Sequence, residues 1–343
     1  MGTFPSGVAT GGTHVHDRSV RWGILATGPM AAAFTEDLRT VPGADVVAVG
    51  SRSRQTAQAF AERFSIPRAY GSWQDLADDP DVDVVYVATP HAHHLAAATL
   101  CLEGGKAVLC EKPFALNRSQ TESMIATAES RSLFLMEGMW TFVNPLVRRA
   151  REMTGDGLIG EVTSVHADFS ARVPVVPGSR LRDPAAGGGA LLDLGTYPVS
   201  FAHLFLGAPD HVSAWAHLND DGVDESTAMV LGYDNGAVAV LSCSLAFSSA
   251  TGAVVYGTEG RIEFPADFYH PRSFVVHRDG RAPQVVEAEP RVGNGYGHQA
   301  LEVMNCLREK RTESALVPLR GSLDVMTTLD RVRALVGVRY PGE

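Results

Sequence analysis

Glu111-Lys112-Pro113 closes the apolar run Ala107-Val108-Leu109-Cys110. Only three lysines, Lys106, Lys112 and Lys310, stand among the 29 basic residues, so arginine supplies the generic positive charge. A lysine kept at a strand end stands where open α/β sheets place their chemistry. An ammonium, unlike a guanidinium, changes its proton affinity readily on burial and can join in proton transfer. A surface lysine beside a turn proline would have the same sequence. Far downstream, in Gly187-Gly188-Gly189-Ala190-Leu191-Leu192-Asp193-Leu194-Gly195-Thr196-Tyr197-Pro198, a carboxylate and a phenol lie four residues apart. On an α-helix that spacing puts them on one face, where they form a proton-handling pair if a lysine is near. The plainer alternative is an aspartate at a helix start and a packed tyrosine.

A second group of residues suits phosphate. Val20 to Thr27 reads as a buried strand and runs straight into Gly28-Pro29 and the small-residue segment Met30 to Phe34. A first strand-to-helix turn offers free amide N–H groups and a positive dipole end to a dinucleotide pyrophosphate. Ala26-Thr27-Gly28-Pro29-Met30-Ala31 keeps the second glycine and the final small residue of the GxGxxG/A fingerprint, with Ala26 in the first glycine's place. After the second strand comes Gly50-Ser51-Arg52-Ser53-Arg54, with no acid to hold a ribose 2'-hydroxyl. Ser51, Arg52 and Arg54 suit a 2'-phosphate instead, which predicts NADP in preference to NAD. A capping serine with solvated arginines is the other reading. Thr89-Pro90-His91-Ala92-His93-His94 follows the third apolar run at the same sheet edge. The three histidines lack a Cys, Asp or Glu at ligand spacing, so the loop is expected to serve cofactor and substrate rather than a metal.

These residues need a frame. Apolar runs at Val46–Val49, Asp83–Thr89, Ala107–Cys110 and Leu133–Met136 alternate with helical segments at Gln55–Phe64, Leu95–Leu102 and Ser119–Ala128. Continuously apolar strands between helices predict a parallel sheet covered on both faces. After Pro145 the pattern becomes strands: Glu161–Ala171, His211–His217, Thr227–Gly232, Ala237–Phe247, Gly260–Phe264 and Ser273–His277, with a hairpin turn at Asp234-Asn235-Gly236. The expected class is α/β: a Rossmann dinucleotide-binding domain over 20–142, then an α+β domain over 143–343 with a large, open, mostly antiparallel sheet. Residues 1–19 are expected to form a disordered tail.

The 343 residues suffice for two cores. A net charge of -10 argues against nucleic acid and anionic membranes. Four scattered cysteines (Cys101, Cys110, Cys243, Cys306) and no bilayer-length apolar run point to a reducing, cytoplasmic setting.

Together the motifs resemble the glucose–fructose oxidoreductase/inositol dehydrogenase (Gfo/Idh/MocA) family, most closely its dimeric dihydrodiol dehydrogenase and NADP-dependent D-xylose dehydrogenase branch. The resemblance runs from about Val20 to the C-terminus through Arg21-Trp22-Gly23-Ile24, Ala69-Tyr70-Gly71-Ser72, Gly105 to Pro113, Leu135-Met136-Glu137 with Trp140, Gly187 to Tyr197, and Glu302 to Arg308. It implies an oxidoreductase that passes a hydride between nicotinamide and a hydroxyl-bearing carbon of a sugar, cyclitol or trans-dihydrodiol. It further implies that Lys112 lies beside nicotinamide and substrate, that Tyr197 replaces the histidine of an Asp-x-x-x-His motif as general acid/base, and that Asp193 orients Lys112 or a substrate hydroxyl. Glu111, His91 and His94 fall in the cofactor loops, and Trp140 falls on an aromatic near the substrate. Phe142 and Gln299 depart from arginine and glutamate in many members. Homodimers or homotetramers through the C-terminal sheet are expected. A non-catalytic NADP-binding sensor on the same fold is the alternative.

Overall fold

The computed structural model describes residues 19–173, 178–288 and 292–343. Except for Ser19, the expected tail, including His14 and His16, lies outside the described residues.

The first half forms a six-stranded parallel sheet from β1 (Val20–Leu25), β2 (Ala44–Gly50), β3 (Arg68–Tyr70), β4 (Val84–Val87), β5 (Ala107–Cys110) and β6 (Leu135–Glu137), in the order β3-β2-β1-β4-β5-β6. Helices α1 (Pro29–Leu38), α2 (Arg54–Phe64), α3 (Trp73–Ala77), α4 (His94–Glu103) and α5 (Arg118–Ser130) connect the strands. The apolar strands follow from burial on both faces. Val84 and Tyr86 pack with Trp22 and Phe34 in one core, and Val85 and Val87 with Ala97 and Cys101 in the other. The Phe34 and Tyr86 rings stack at 3.8 Å. Two short elements carry no periodic signal in the sequence. Strand β3 pairs in parallel with Ala48 to Gly50 of β2, and α3 starts where the Ser72 side chain accepts from the Asp75 amide.

Helices α6 (Trp140–Val143) and α7 (Pro145–Gly155) lead to the second sheet. Its strands are β7 (Val162–Ser170), β8 (His211–Leu218), β9 (Asp224–Gly232), β10 (Val238–Ser244), β11 (Ala253–Gly257), β12 (Gly260–Phe264), β13 (Ser273–Arg278) and β14 (Gln284–Glu287), ordered β14-β13-β12-β11-β7-β10-β9-β8. Every pairing is antiparallel except β7 with β10. Val165, Ala167, Leu231, Leu241 and Val255 share a core with Phe201 of helix α8 (Thr196–Leu206). The opposite face is open. Strand β8 alternates exposed and half-buried residues along its length, as a sheet with one covered face does.

Helices α9 (Gly297–Arg308) and α10 (Leu319–Val336) return to the first sheet. Leu319 joins its second core, and Ser322 Oγ donates to Glu137 Oε2 at 2.6 Å.

Candidate active site

The first turn of α1 opens onto a cavity of about 480 Å³ at the carboxyl edge of the parallel sheet. Of the predicted cofactor residues, Ala26, Thr27, Gly28, Pro29, Met30, Ser51, Arg52, Thr89, Pro90, His91, His94, Glu111 and Lys112 line it. Arg54, the first residue of α2, is not among the lining residues. Trp73, at the start of α3, and Arg180 line the cleft and escaped sequence reasoning.

The cleft suits a dinucleotide. No side chain caps α1, so its first-turn N–H groups stay free for an anion. A Cβ built on Gly28 would meet nothing within 4 Å, so Gly28 borders open space. Thr89 Oγ1 is buried with no hydrogen-bond partner among the described residues, a donor that a ligand could satisfy. Ala26 has φ +107°, a conformation that glycine adopts freely and alanine rarely. The chain therefore keeps the backbone of the first fingerprint glycine while losing the residue.

The histidine loop turns inward. His94 places Nδ1 2.9 Å from the Pro113 carbonyl and Nε2 2.9 Å from the Thr89 carbonyl, tying the loop to the segment after Lys112. Burial pushes its pKa down to about 4. His91 Nδ1 lies 3.1 Å from the Gly187 carbonyl, and burial lowers its pKa to about 3.

Lys112 and Tyr197 meet at the inner end. Lys112 Nζ stands 4.7 Å from the centroid of the Tyr197 ring and donates to the Asp193 backbone carbonyl at 2.7 Å. Asp193 holds Lys112 through its backbone carbonyl. Leu191–Gly195 is a π-helical turn that passes into α8 at Thr196, so Asp193 and Tyr197 do not follow α-helical spacing. The carboxylate instead accepts from Arg180 Nη2 at 2.9 Å and stands 3.8 Å from His91 Nε2. Burial works to raise the Asp193 pKa, but the charges of Lys112 and Arg180 outweigh it and hold it below the ordinary range.

Tyr197 is buried, and its hydroxyl accepts from Trp140 Nε1 at 3.1 Å. Burial first, and the Glu111 carboxylate second, push its pKa well above the ordinary phenol value. Burial dominates at the hydroxyl, and the Lys112 ammonium stands over the ring. Glu111 is itself buried against Tyr86, whose hydroxyl donates to Oε1 at 2.5 Å, and Glu111 Oε2 accepts from the Lys112 amide at 3.2 Å. Trp140 lies behind Tyr197 rather than on the lined wall, in an aromatic cluster. Its ring is 4.2 Å from that of Tyr296 and 5.9 Å from that of Tyr269, while Phe169 stacks on Tyr269 at 4.5 Å.

A parallel sheet whose first turn is built for phosphate, a second sheet domain, and a lysine and a tyrosine facing one cleft define an oxidoreductase that binds a nicotinamide dinucleotide. The chain belongs to the Gfo/Idh/MocA family: residues 20–139 match its NAD-binding Rossmann-fold oxidoreductase model, and residues 147–263 match its C-terminal domain model. It is 37% identical to the human (Homo sapiens) trans-1,2-dihydrobenzene-1,2-diol dehydrogenase over 331 residues, covering 94% of this chain and 98% of that one. The Bos taurus protein of the same name is 36% identical over 332 residues, with the same coverage. Among solved structures, a 3-ketoreductase from Actinomadura kijaniata in complex with NADP and TDP-benzene superposes with TM-score 0.83 at 27% identity, covering 93% of this chain and 98% of that one. A levoglucosan dehydrogenase superposes with TM-score 0.85 at 20% identity, covering 93% of this chain and 98% of that one, which speaks to the fold alone. Among the described residues no helix is long and apolar enough to cross a membrane.

Proposed function

We propose that this enzyme is an NADP-dependent dehydrogenase/reductase acting at a hydroxyl-bearing carbon, with Tyr197 as general acid/base and Lys112 beside it. The observation that carries the reading is the 4.7 Å approach of Lys112 Nζ to the Tyr197 ring on the wall of the dinucleotide cleft. Ser51 and Arg52 would hold a 2'-phosphate, and Ala26 to Met30 the pyrophosphate. When bound, the nicotinamide supplies or accepts the hydride.

The residues divide the remaining work. Lys112 stays fixed by the Asp193 carbonyl and presents its remaining N–H donors to a substrate oxygen. Arg180 and the ionised Asp193 close the outer side. Because burial keeps the Tyr197 phenol protonated, it is ready to give a proton to a nascent alkoxide. The reverse direction first needs the phenolate, so oxidation should accelerate as pH rises through the alkaline range while reduction stays level.

Of the three substrate classes, the trans-dihydrodiols are supported by relatives at 36–37% identity that are named for such a substrate. Nicotinamide absorbance with a panel of trans-dihydrodiols, aldoses and cyclitols tests this. Turnover on the dihydrodiols with NADP is expected; dinucleotide binding without turnover on any substrate would favour a sensor.

The open face of the second sheet supports self-association. Trp215 is 68% exposed, and Val230, Val238 and Val240 are 45%, 37% and 45% exposed on adjoining strands, with Trp215 opposite Ala228 and Val240 opposite Val230. Such a patch suits a second copy of the chain. We assign 20–142 to dinucleotide binding and 143–343 to substrate binding and oligomerisation. The four cysteines are buried and free, as the cytoplasm would keep them.

A further inference from the structure

Asp37 sits near the end of α1, away from the phosphate-binding turn, and is 2% exposed. Its carboxylate is a receptor for one loop. Asn294 N donates to both oxygens at 2.8 Å, Asn294 Nδ2 to Oδ1 at 2.9 Å, and Tyr296 N to Oδ2 at 2.9 Å. The loop is shaped to reach it. Gly293 has φ +62°, and a Cβ there would fall 2.4 Å from Asp37 Cγ. Gly295 has φ +120°, and a Cβ there would fall 3.0 Å from Trp140 Cζ3. The same loop delivers the Tyr296 ring flat onto Trp140, at 4.2 Å and 18° between planes. The Trp140 indole N–H in turn donates to the Tyr197 oxygen.

We propose that Asp37 is a positioning residue for the Tyr197 hydroxyl, acting through Tyr296 and Trp140. The claim rests on the reading of Tyr197 as the acid/base group. Its physical content is directional. A phenol oxygen that accepts from the indole keeps its own proton free to point elsewhere, toward a substrate oxygen. The indole also stabilises the charge left on the oxygen once that proton has gone. The indole can do so only while its plane is held, and the plate that holds it hangs from the carboxylate of a helix in the nucleotide-binding domain.

The test is single-turnover hydride transfer at saturating dinucleotide and substrate, on the full chain. Asp37→Ala should slow the step by about tenfold, short of the ~100-fold that a full 1 Å misplacement can cost, while the NADP dissociation constant moves by less than ~2-fold. In a Trp140→Phe background, which lacks the indole donor, Asp37→Ala should add less than ~2-fold, because the two act in series. Tyr296→Leu leaves the carboxylate in place and removes only the stacking plate, so it covers the case in which Asp37→Ala does not fold, and the same losses are expected. An unchanged rate in Asp37→Ala, or in Tyr296→Leu, would overturn the proposal. So would an equal tenfold loss in the Trp140→Phe background, which would mark a general structural role. Tyr197→Phe is run alongside. If it is slow while Asp37→Ala is fast, only the positioning claim fails; if Tyr197→Phe keeps the full rate, the acid/base reading fails as well.

Discussion

Replacing Glu137 with glutamine should make the protein more stable at pH 8 than at pH 5, relative to the natural chain. Glu137 ends β6 and is 3% exposed. Its Oε2 accepts from Ser322 Oγ at 2.6 Å, and Oε1 has no partner among the described residues. Burial, aided by the charge of Glu111, pushes its pKa up to about 7 from an ordinary 4.5. The sign follows from linkage. The folded state holds this proton more tightly than the unfolded chain, so the favourable contribution is complete below pH 4.5 and is lost as pH rises to 7. A tenfold change in proton concentration is worth ~1.4 kcal/mol, so crossing the whole window costs ~3 kcal/mol. Glutamine keeps the shape and an oxygen for Ser322 and carries no charge to bury. Urea unfolding at pH 5 and pH 8 measures the difference, and the titrations of other groups, such as the buried Asp224, are common to both proteins and cancel. Because pH 5 already lies above the ordinary 4.5, the variant should gain ~2–3 kcal/mol on the natural chain between the two pH values. Two stability curves that run parallel across that range would refute the argument.

Three further outcomes are expected. Ala26→Gly relieves a φ of +107° and should raise the unfolding free energy by ~1 kcal/mol, since strain of 1–3 kcal/mol is partly offset by the greater freedom of glycine in the unfolded chain; a lower urea midpoint would contradict this. Arg52→Ala removes a guanidinium of the cleft wall that is proposed to meet the 2'-phosphate and should weaken NADP binding by ~10-fold or more, with little change for NAD, the scale of a lost charged hydrogen bond; equal losses for both dinucleotides in a fluorescence titration would remove Arg52 from 2'-phosphate recognition. Trp215→Asp places a charge in the exposed sheet face and should convert the proposed oligomer to monomers in sedimentation velocity; an unchanged sedimentation coefficient would place any interface elsewhere.

The extent to which the sequence reveals this site varies with the physics of each part. The parallel sheet is legible because strands buried on both faces must be continuously apolar, as Val84–Val87 and Ala107–Cys110 are. Strand β3 and helix α3 are not, since three and five residues carry no period and are held by pairing with β2 and by the Ser72 cap. That omission also hid Trp73. Strand β11 escaped for a similar reason: five residues between turns, fixed by β7 and β12 on either side. Lys112, Asp193 and Tyr197 are legible as residue types at telling places, but their contacts are not. A four-residue spacing implies a shared α-helical face, but the segment is a π-helical turn, and Lys112 donates to the Asp193 carbonyl. The bond from Trp140 to Tyr197 joins residues 57 apart in sequence, and Arg180 reaches Asp193 from a loop with no periodic pattern.

The central claim is that the Tyr197 hydroxyl moves the proton that accompanies hydride transfer. Single-turnover transfer with the Tyr197→Phe variant at saturating dinucleotide tests it most directly. The account predicts a loss of ~100-fold or more in the transfer rate, as for a removed general acid, with dinucleotide affinity preserved. A variant that transfers hydride at the rate of the natural enzyme would contradict it.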